Sequence, residues 1–167
     1  MASCELPHLP SMARSGPNIT LLLASGFGTG YLPYCPGTFG TLVALPVSLV
    51  VNRIARDEPW IAALSLAVFA AIAAWLAGRA ANILKSKDPR TVTIDEIAGF
   101  ALANFLTVGL PGFVIAFVLF RFFDIAKIFP ARRLEALPGG AGIVLDDMLA
   151  GLYTFLLLRL LSWTGLL

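Results

Sequence analysis

Ten of the 167 residues are acidic, and five of them fall at three places: Asp95 with Glu96, Asp124 alone, and Asp146 with Asp147. All three places are set in apolar sequence, with Thr93-Ile94 and Ile97-Ala98 around the first, Phe122-Phe123 before the second and Ile143-Val144-Leu145 before the third. A carboxylate beside lipid or in a packed core costs several kcal/mol unless it is paired or metal-bound. Three such places in one chain point to a shared cation. Oxygen ligands with no histidine or cysteine nearby suit Mg²⁺, with Mn²⁺ as a substitute. That ion neutralises phosphate oxygens and acidifies a bound water, which is the chemistry of phosphoester hydrolysis. Attack by a carboxylate to give an aspartyl-phosphate is the other route.

Each cluster also has a plainer explanation. Asp95 could cap the helix that follows, with Glu96 beside it at the positive end of the dipole. Asp124 and Lys127 are three apart, so on one helix face they could form an ordinary ion pair, or the carboxylate could hold a cation while the ammonium meets a phosphate. Gly139-Gly140-Ala141-Gly142 could be a turn, with Asp146 and Asp147 capping the last helix, or a loop whose amides approach a phosphate. Consecutive aspartates point about 100° apart on a helix, so one of Asp146 and Asp147 can ligate while the other acts through water.

Several other chemistries are excluded by what is missing. Cys4 and Cys35 are isolated, and the single histidine, His8, is far from the acidic clusters, which argues against zinc, disulfides and histidine-based phosphatases. Thr41 stands where a cysteine phosphatase needs its arginine after Cys35, and no D-x-D pair of the haloacid-dehalogenase type occurs. Gly26-Phe27-Gly28-Thr29-Gly30 superficially suggests a dinucleotide loop, but Pro33 and Pro36 oppose the helix such a loop must open. A net charge of +2 gives no basic face for nucleic acid.

The elements that must position these residues are helical and apolar. Hydrophobic residues make up 58% of the chain and charged ones 13%, far from the soluble norm of roughly a quarter charged. A bilayer is the expected solvent. Residues 1–17 read as a flexible leader without the apolar core of a signal peptide, and 18–167 as one all-α domain, a compact helical bundle. Residues 19–24 form a short apolar run, and 38–51 a first hydrophobic helix interrupted by Pro46. Residues 60–77 hold eighteen positions without a charge and are the cleanest candidate span. Arg79, Lys85, Lys87 and Arg90 place the following loop on the cytoplasmic side, with Arg53 and Arg56 arguing weakly the other way. Residues 97–120 are uncharged but divided at Pro111-Gly112 into halves too short to cross, giving either one kinked helix or a shallow hairpin, which the flanking motifs favour. Residues 148–161 form the last apolar stretch.

Three blocks, GFGTGYLPYCPGTFGTL, TIDEIAGF and FRFFDIAKIFPARRLEALPGGAGIVLDDMLAG, resemble the signature of phosphatidylglycerophosphatase A in the same order. The resemblance implies a helical fold and Mg²⁺-dependent hydrolysis of phosphatidylglycerophosphate to phosphatidylglycerol and phosphate at the cytoplasmic face of the bacterial inner membrane. Carried over by residue, it makes Asp95, Glu96, Asp124, Asp146 and Asp147 the metal ligands and Asp95, Asp124, Lys127 and Asp147 the catalytic groups. Gly37, Thr38, Lys127, Gly139 and Gly140 are expected to meet the substrate. Pro130 also matches, whereas Ile128 stands where the family usually has proline. The implied partners are a phospholipid substrate and the membrane, with no nucleic acid and no obligatory protein partner. Two other functions share some of these features: a small carrier binding cations through intramembrane carboxylates, and a phosphatidyl transferase, whose D-G-x-x-A-R signature is absent since Met148-Leu149-Ala150-Gly151 follows Asp147.

Overall fold

The computed structural model describes residues 18–32, 36–107 and 109–165. The expected leader, Cys4, His8 and Cys35 lie outside them. Among the described residues there are seven α-helices and no strand: α1 (Ile19–Ala24), α2 (Pro36–Asp57), α3 (Pro59–Leu84), α4 (Ile94–Ala103), α5 (Gly109–Ala126), α6 (Ala131–Glu135) and α7 (Gly140–Trp163). Four of them, α2, α3, α5 and α7, are long and apolar enough to cross a membrane.

The short helix α4 is the axis. Eight of its ten residues are buried, with Ile97 and Phe100 among them, and a helix apolar on all sides belongs inside a bundle. Phe100 stacks against Phe117 and Phe120 of α5 at centroid separations of 6.1 and 5.6 Å. From α2 the small residues Gly40, Thr41, Ala44 and Ser48 recur at helical spacing on the buried face, which lets that helix lie close.

The crossing of α4 with α7 is closer still. A Cβ on Gly99 would sit 2.6 Å from the Asp147 carbonyl oxygen, and one on Gly151 would collide with the Gly99 carbonyl. Gly99 thus meets Asp147, and four residues on in each helix Ala103 N lies 3.4 Å from a Cβ on Gly151, so the two helices run in the same direction there. Their N-terminal ends therefore face the same end of the bundle.

Three expectations change here. Pro46 does not interrupt α2, which continues to Asp57; Pro46 is exposed, and inside a long helix a proline removes one i→i−4 bond and bends the axis without having to end it. Pro36, expected to oppose a helix, is instead the first residue of one, a position where the missing N–H is not needed. The break in 97–120 falls at residues 104–107, and Pro111 sits in the first turn of α5. The chain does form a hairpin, but its second arm has 18 residues and is long enough to cross by itself. Side chains satisfy the carbonyls freed at the break: Asn52 Nδ2 donates to Asn104 O and Arg159 to Leu106 O, both at 2.8 Å.

Candidate active site

At the end where α2, α4 and α7 begin, a cavity of about 600 Å³ opens between them and the C-terminal part of α5. Its wall contains all five acidic residues of the three clusters, together with Gly37, Thr38, Arg121, Lys127 and Gly139. Stretches of chain some fifty residues apart thus meet, as the cost of isolated carboxylates requires. Three helix N-termini directed at one cavity place positive dipole ends beside these carboxylates and any bound phosphate.

Asp95 and Glu96 occupy the first turn of α4. Neither caps the helix, whose N-cap, Thr93, makes no side-chain capping bond. Asp95 is 9% exposed and its Oδ1 has no hydrogen-bond partner among the described residues. Burial, with the Glu96 charge adding to it, raises the Asp95 pKa well above the ordinary carboxylate range. Glu96 is clamped between helices. Its carboxylate lies where a Cβ on Gly37 or Gly40 would be, so a side chain at either position of α2 would displace it. Burial pushes the Glu96 carboxyl up to about 7, with Arg121 opposing the shift and Asp124 reinforcing it.

Arg121 joins two of the clusters. Its Nη1 donates to Glu96 Oε1 at 3.3 Å and forms an ion pair with Asp124 Oδ2 at 2.8 Å, tying α4 to the end of α5. The expected pairing of Asp124 with Lys127 is not what forms. The helix ends at Ala126, and Lys127 has left-handed backbone, with φ +45°, so the two do not share a helix face. Lys127 turns instead towards α6 and α7, donating to Glu135 Oε2 at 2.9 Å and Asp146 Oδ2 at 3.0 Å. Burial acts against its charge, but the hydrogen bonds to Glu135 and Asp146 outweigh that and hold its pKa above the usual lysine value.

Asp146 and Asp147 lie in the second turn of α7, six and seven residues beyond Gly140, so they are not caps. Both are buried, at 8% and 5% exposure. Of the glycines expected at the substrate, Gly139 lines the cavity with φ +69° and open space where a Cβ would be. Gly140 does not line it; a Cβ there would collide with the Ala74 carbonyl of α3, so its smallness serves helix packing. The Gly26–Gly30 segment is likewise a packing element, with Gly30 set against the Thr91 carbonyl and Thr93 N donating to Ala24 O at 2.9 Å.

Arg121 and Glu135, which pair with the expected site residues, had no role in the sequence reading. Arg121 carried a signal, a lone cation in an apolar helix three residues before Asp124, a spacing that competes directly with that of Asp124 and Lys127. Glu135 carried none, because its partner depends on a turn that propensity does not reveal.

Five carboxylates and no nitrogen or sulfur ligand fit Mg²⁺, and the unpartnered Asp95 Oδ1 and Asp146 Oδ1 are oxygens of the kind a cation would complete. Among the described residues, however, no three acidic, histidine or cysteine side chains are already gathered as a ligand group.

Comparison with known proteins identifies the family. Residues 22–162 match the family described as "Phosphatidylglycerophosphatase A". A protein of Bacteroides thetaiotaomicron bearing the provisional name phosphatidylinositol-3-phosphatase is 32% identical, covering 87% of this chain and 94% of its own. Proteins of Haemophilus influenzae and Escherichia coli, both named phosphatidylglycerophosphatase A, are each 32% identical, covering 79% and 78% of this chain and 82% and 76% of theirs. No solved structure matches. The chain is therefore a phosphatase with membrane-type apolar helices, and it belongs to the phosphatidylglycerophosphatase A family.

Proposed function

We propose that the chain hydrolyses the terminal phosphomonoester of phosphatidylglycerophosphate, releasing phosphatidylglycerol and inorganic phosphate, in a Mg²⁺-dependent reaction at the cytoplasmic face of the bacterial inner membrane. The observation that carries this reading is the convergence of three acidic clusters, Arg121 and Lys127 on one cavity at the end of an apolar helical bundle. Lys85, Lys87, Arg90, Arg132 and Arg133 belong to the segments at that same end, which supports a cytoplasmic orientation.

Asp95, Asp146 and Asp147 are the residues that would hold the ion. When bound, it would neutralise phosphate charge and acidify a water. Lys127 binds the phosphate oxygens as a fixed charge. A lysine whose pKa is held high keeps its proton, so it stabilises the charge that spreads over the phosphoryl oxygens and does not act as the acid. Glu96 and Asp124 hold Arg121 at the same wall, where its fork can meet a second phosphate oxygen. Asp124 uses one oxygen on Arg121 and has the other for the proton of the attacking water. The water oxygen bonds to phosphorus, the bond from phosphorus to the glycerol oxygen breaks, and the proton that Asp124 took from the water is returned through solvent to that oxygen, which leaves as the alcohol.

Phosphate release measured on phosphatidylglycerophosphate, phosphatidic acid, phosphatidylinositol 3-phosphate and a water-soluble phosphoester, each with Mg²⁺ and with a chelator, tests the reading. Preferential metal-dependent release from phosphatidylglycerophosphate is expected. Full activity in chelator would remove the metal, and preference for phosphatidylinositol 3-phosphate would transfer the substrate to that suggested by the name of the Bacteroides relative.

A further inference from the structure

The opposite end of the bundle holds a second cavity, of about 520 Å³, between the last turns of α2 and the start of α5. The catalytic reading makes no use of it, nor of the two arginines that stood out in the sequence as opposing the charge bias. Along α2 the lining residues are Leu45, Leu49, Asn52, Arg53 and Arg56. Spaced by four, three, one and three residues, they follow one face of the helix. They also change character in order, apolar nearer the middle of the bundle and cationic at its end. The facing wall repeats the gradient, with Phe113 across from the leucines and Thr107 near the polar end. Tail-to-headgroup is the order of polarity in an amphiphile.

Two buried polar groups specify the headgroup further. Asn52 and Thr107 are each 7% exposed, and both Asn52 Oδ1 and Thr107 Oγ1 lack a hydrogen-bond partner among the described residues. Asn52 has committed its amide nitrogen to Asn104 O, so what remains is an acceptor, and an acceptor calls for a hydroxyl or N–H from outside. Arg53 and Arg56 are exposed at the rim, where they attract a phosphate. Arg53 is sixteen residues beyond Gly37 on α2, about 24 Å at 1.5 Å per residue, which sets it near the far side of the roughly 30 Å hydrocarbon layer.

We propose that this cleft is a phospholipid site for the leaflet opposite the catalytic cavity. Its occupant is an anionic phospholipid with a hydroxylated headgroup, the phosphate at Arg53 and Arg56, a headgroup hydroxyl folded back from the phosphate to Asn52 and Thr107, and an acyl chain along Leu45, Leu49 and Phe113. The assignment stands apart from the catalytic reading, because no residue is shared.

Delipidated full-length protein titrated with phosphatidylglycerol and followed by native mass spectrometry tests it. Wild type and Lys127→Gln are expected to retain one tightly held lipid. Arg53→Gln/Arg56→Gln holds it at least about tenfold more weakly, the scale of losing charge-assisted bonds to a phosphate, and Arg53→Lys/Arg56→Lys recovers much of the binding, showing that the fold survives. Phosphatidylethanol, anionic but without a headgroup hydroxyl, binds more weakly than phosphatidylglycerol, and Thr107→Val narrows that preference. Undiminished retention by the double glutamine variant would overturn the proposal, as would equal retention of phosphatidylcholine. Displacement of the lipid by inorganic phosphate would reduce the site to a plain anion site and overturn it as well.

Discussion

Helices α7 and α5 are almost indistinguishable by hydropathy, at 1.7 and 1.8, yet half of the apolar window of α7 is buried in the bundle against 17% of that of α5. The difference lies in which small and charged residues each helix carries. On α7, Gly142, Gly151 and the aspartates face the interior. On α5, Leu110, Val114, Val118, Phe122 and Ile125 remain exposed, and charge enters only at its cavity end, with Arg121 and Asp124. Apolar content thus identifies both helices, while the position of glycine and carboxylate decides which one packs against protein and which is left for lipid.

The largest effects should come from the interior of α7. Asp147→Asn is expected to lower phosphate release by roughly 10²- to 10³-fold, the range for losing an electrostatic group at a phosphoryl-transfer site, with helix content by circular dichroism unchanged. If turnover survived in folded protein, the buried face of α7 would be a packing surface and nothing more.

Gly151→Val should come next. The added carbons meet the Gly99 carbonyl, and overpacking of this kind costs about 1–3 kcal/mol. Thermal unfolding in detergent should shift down and activity fall with it. Val118→Ala on the outward face of α5 is the counterpart, with a change in unfolding temperature near zero.

Lys127→Gln is expected to reduce kcat/KM by about tenfold to a hundredfold. Glu135→Gln should do less, because Asp146 still holds the ammonium. Equal losses in the two variants would mean that Glu135 contributes more than orientation.

A smaller effect concerns pH in the absence of divalent ions. Glu96 has its pKa raised from 4.5 to about 7 in the folded protein, so the folded state binds this proton more tightly than the unfolded state. The stabilisation is therefore fully present below about pH 4.5 and is lost as pH rises through about 7. Unfolding temperature measured in chelator should decline across that window. Glu96→Gln, which carries no titrating proton, should flatten the decline, and a decline of the same size in that variant would assign it to another group.

Much of this architecture could be read from residue types. In a chain this apolar, carboxylates are too costly to leave scattered, so the grouping of Asp95, Glu96, Asp124, Asp146 and Asp147 foretold their convergence on one cavity. Helix ends were harder. Whether Lys127 continues α5 or leaves it depends on a single left-handed residue, and that choice moved its partner from Asp124 to Asp146 and Glu135. Pro46 reads as an interruption in the sequence but is an interior residue of α2, because a proline's local cost does not say whether a long helix bends or ends there. The glycines were hardest to interpret, since Gly139 at the cavity and Gly140 against α3 are neighbours in sequence with opposite surroundings.

The parallel crossing of α4 and α7 also has a consequence for biogenesis. Asp146 follows Glu96 by fifty residues, and α5 and α6 must be laid down between them. A nascent chain that has emerged only as far as α5 carries Asp95, Glu96, Arg121 and Asp124 without their counterparts, and long-range contacts of this kind form late. If the proposed site is right, a chain synthesised only as far as α5 would lack Asp146 and Asp147 and release no phosphate until the final helix packs beside the central one.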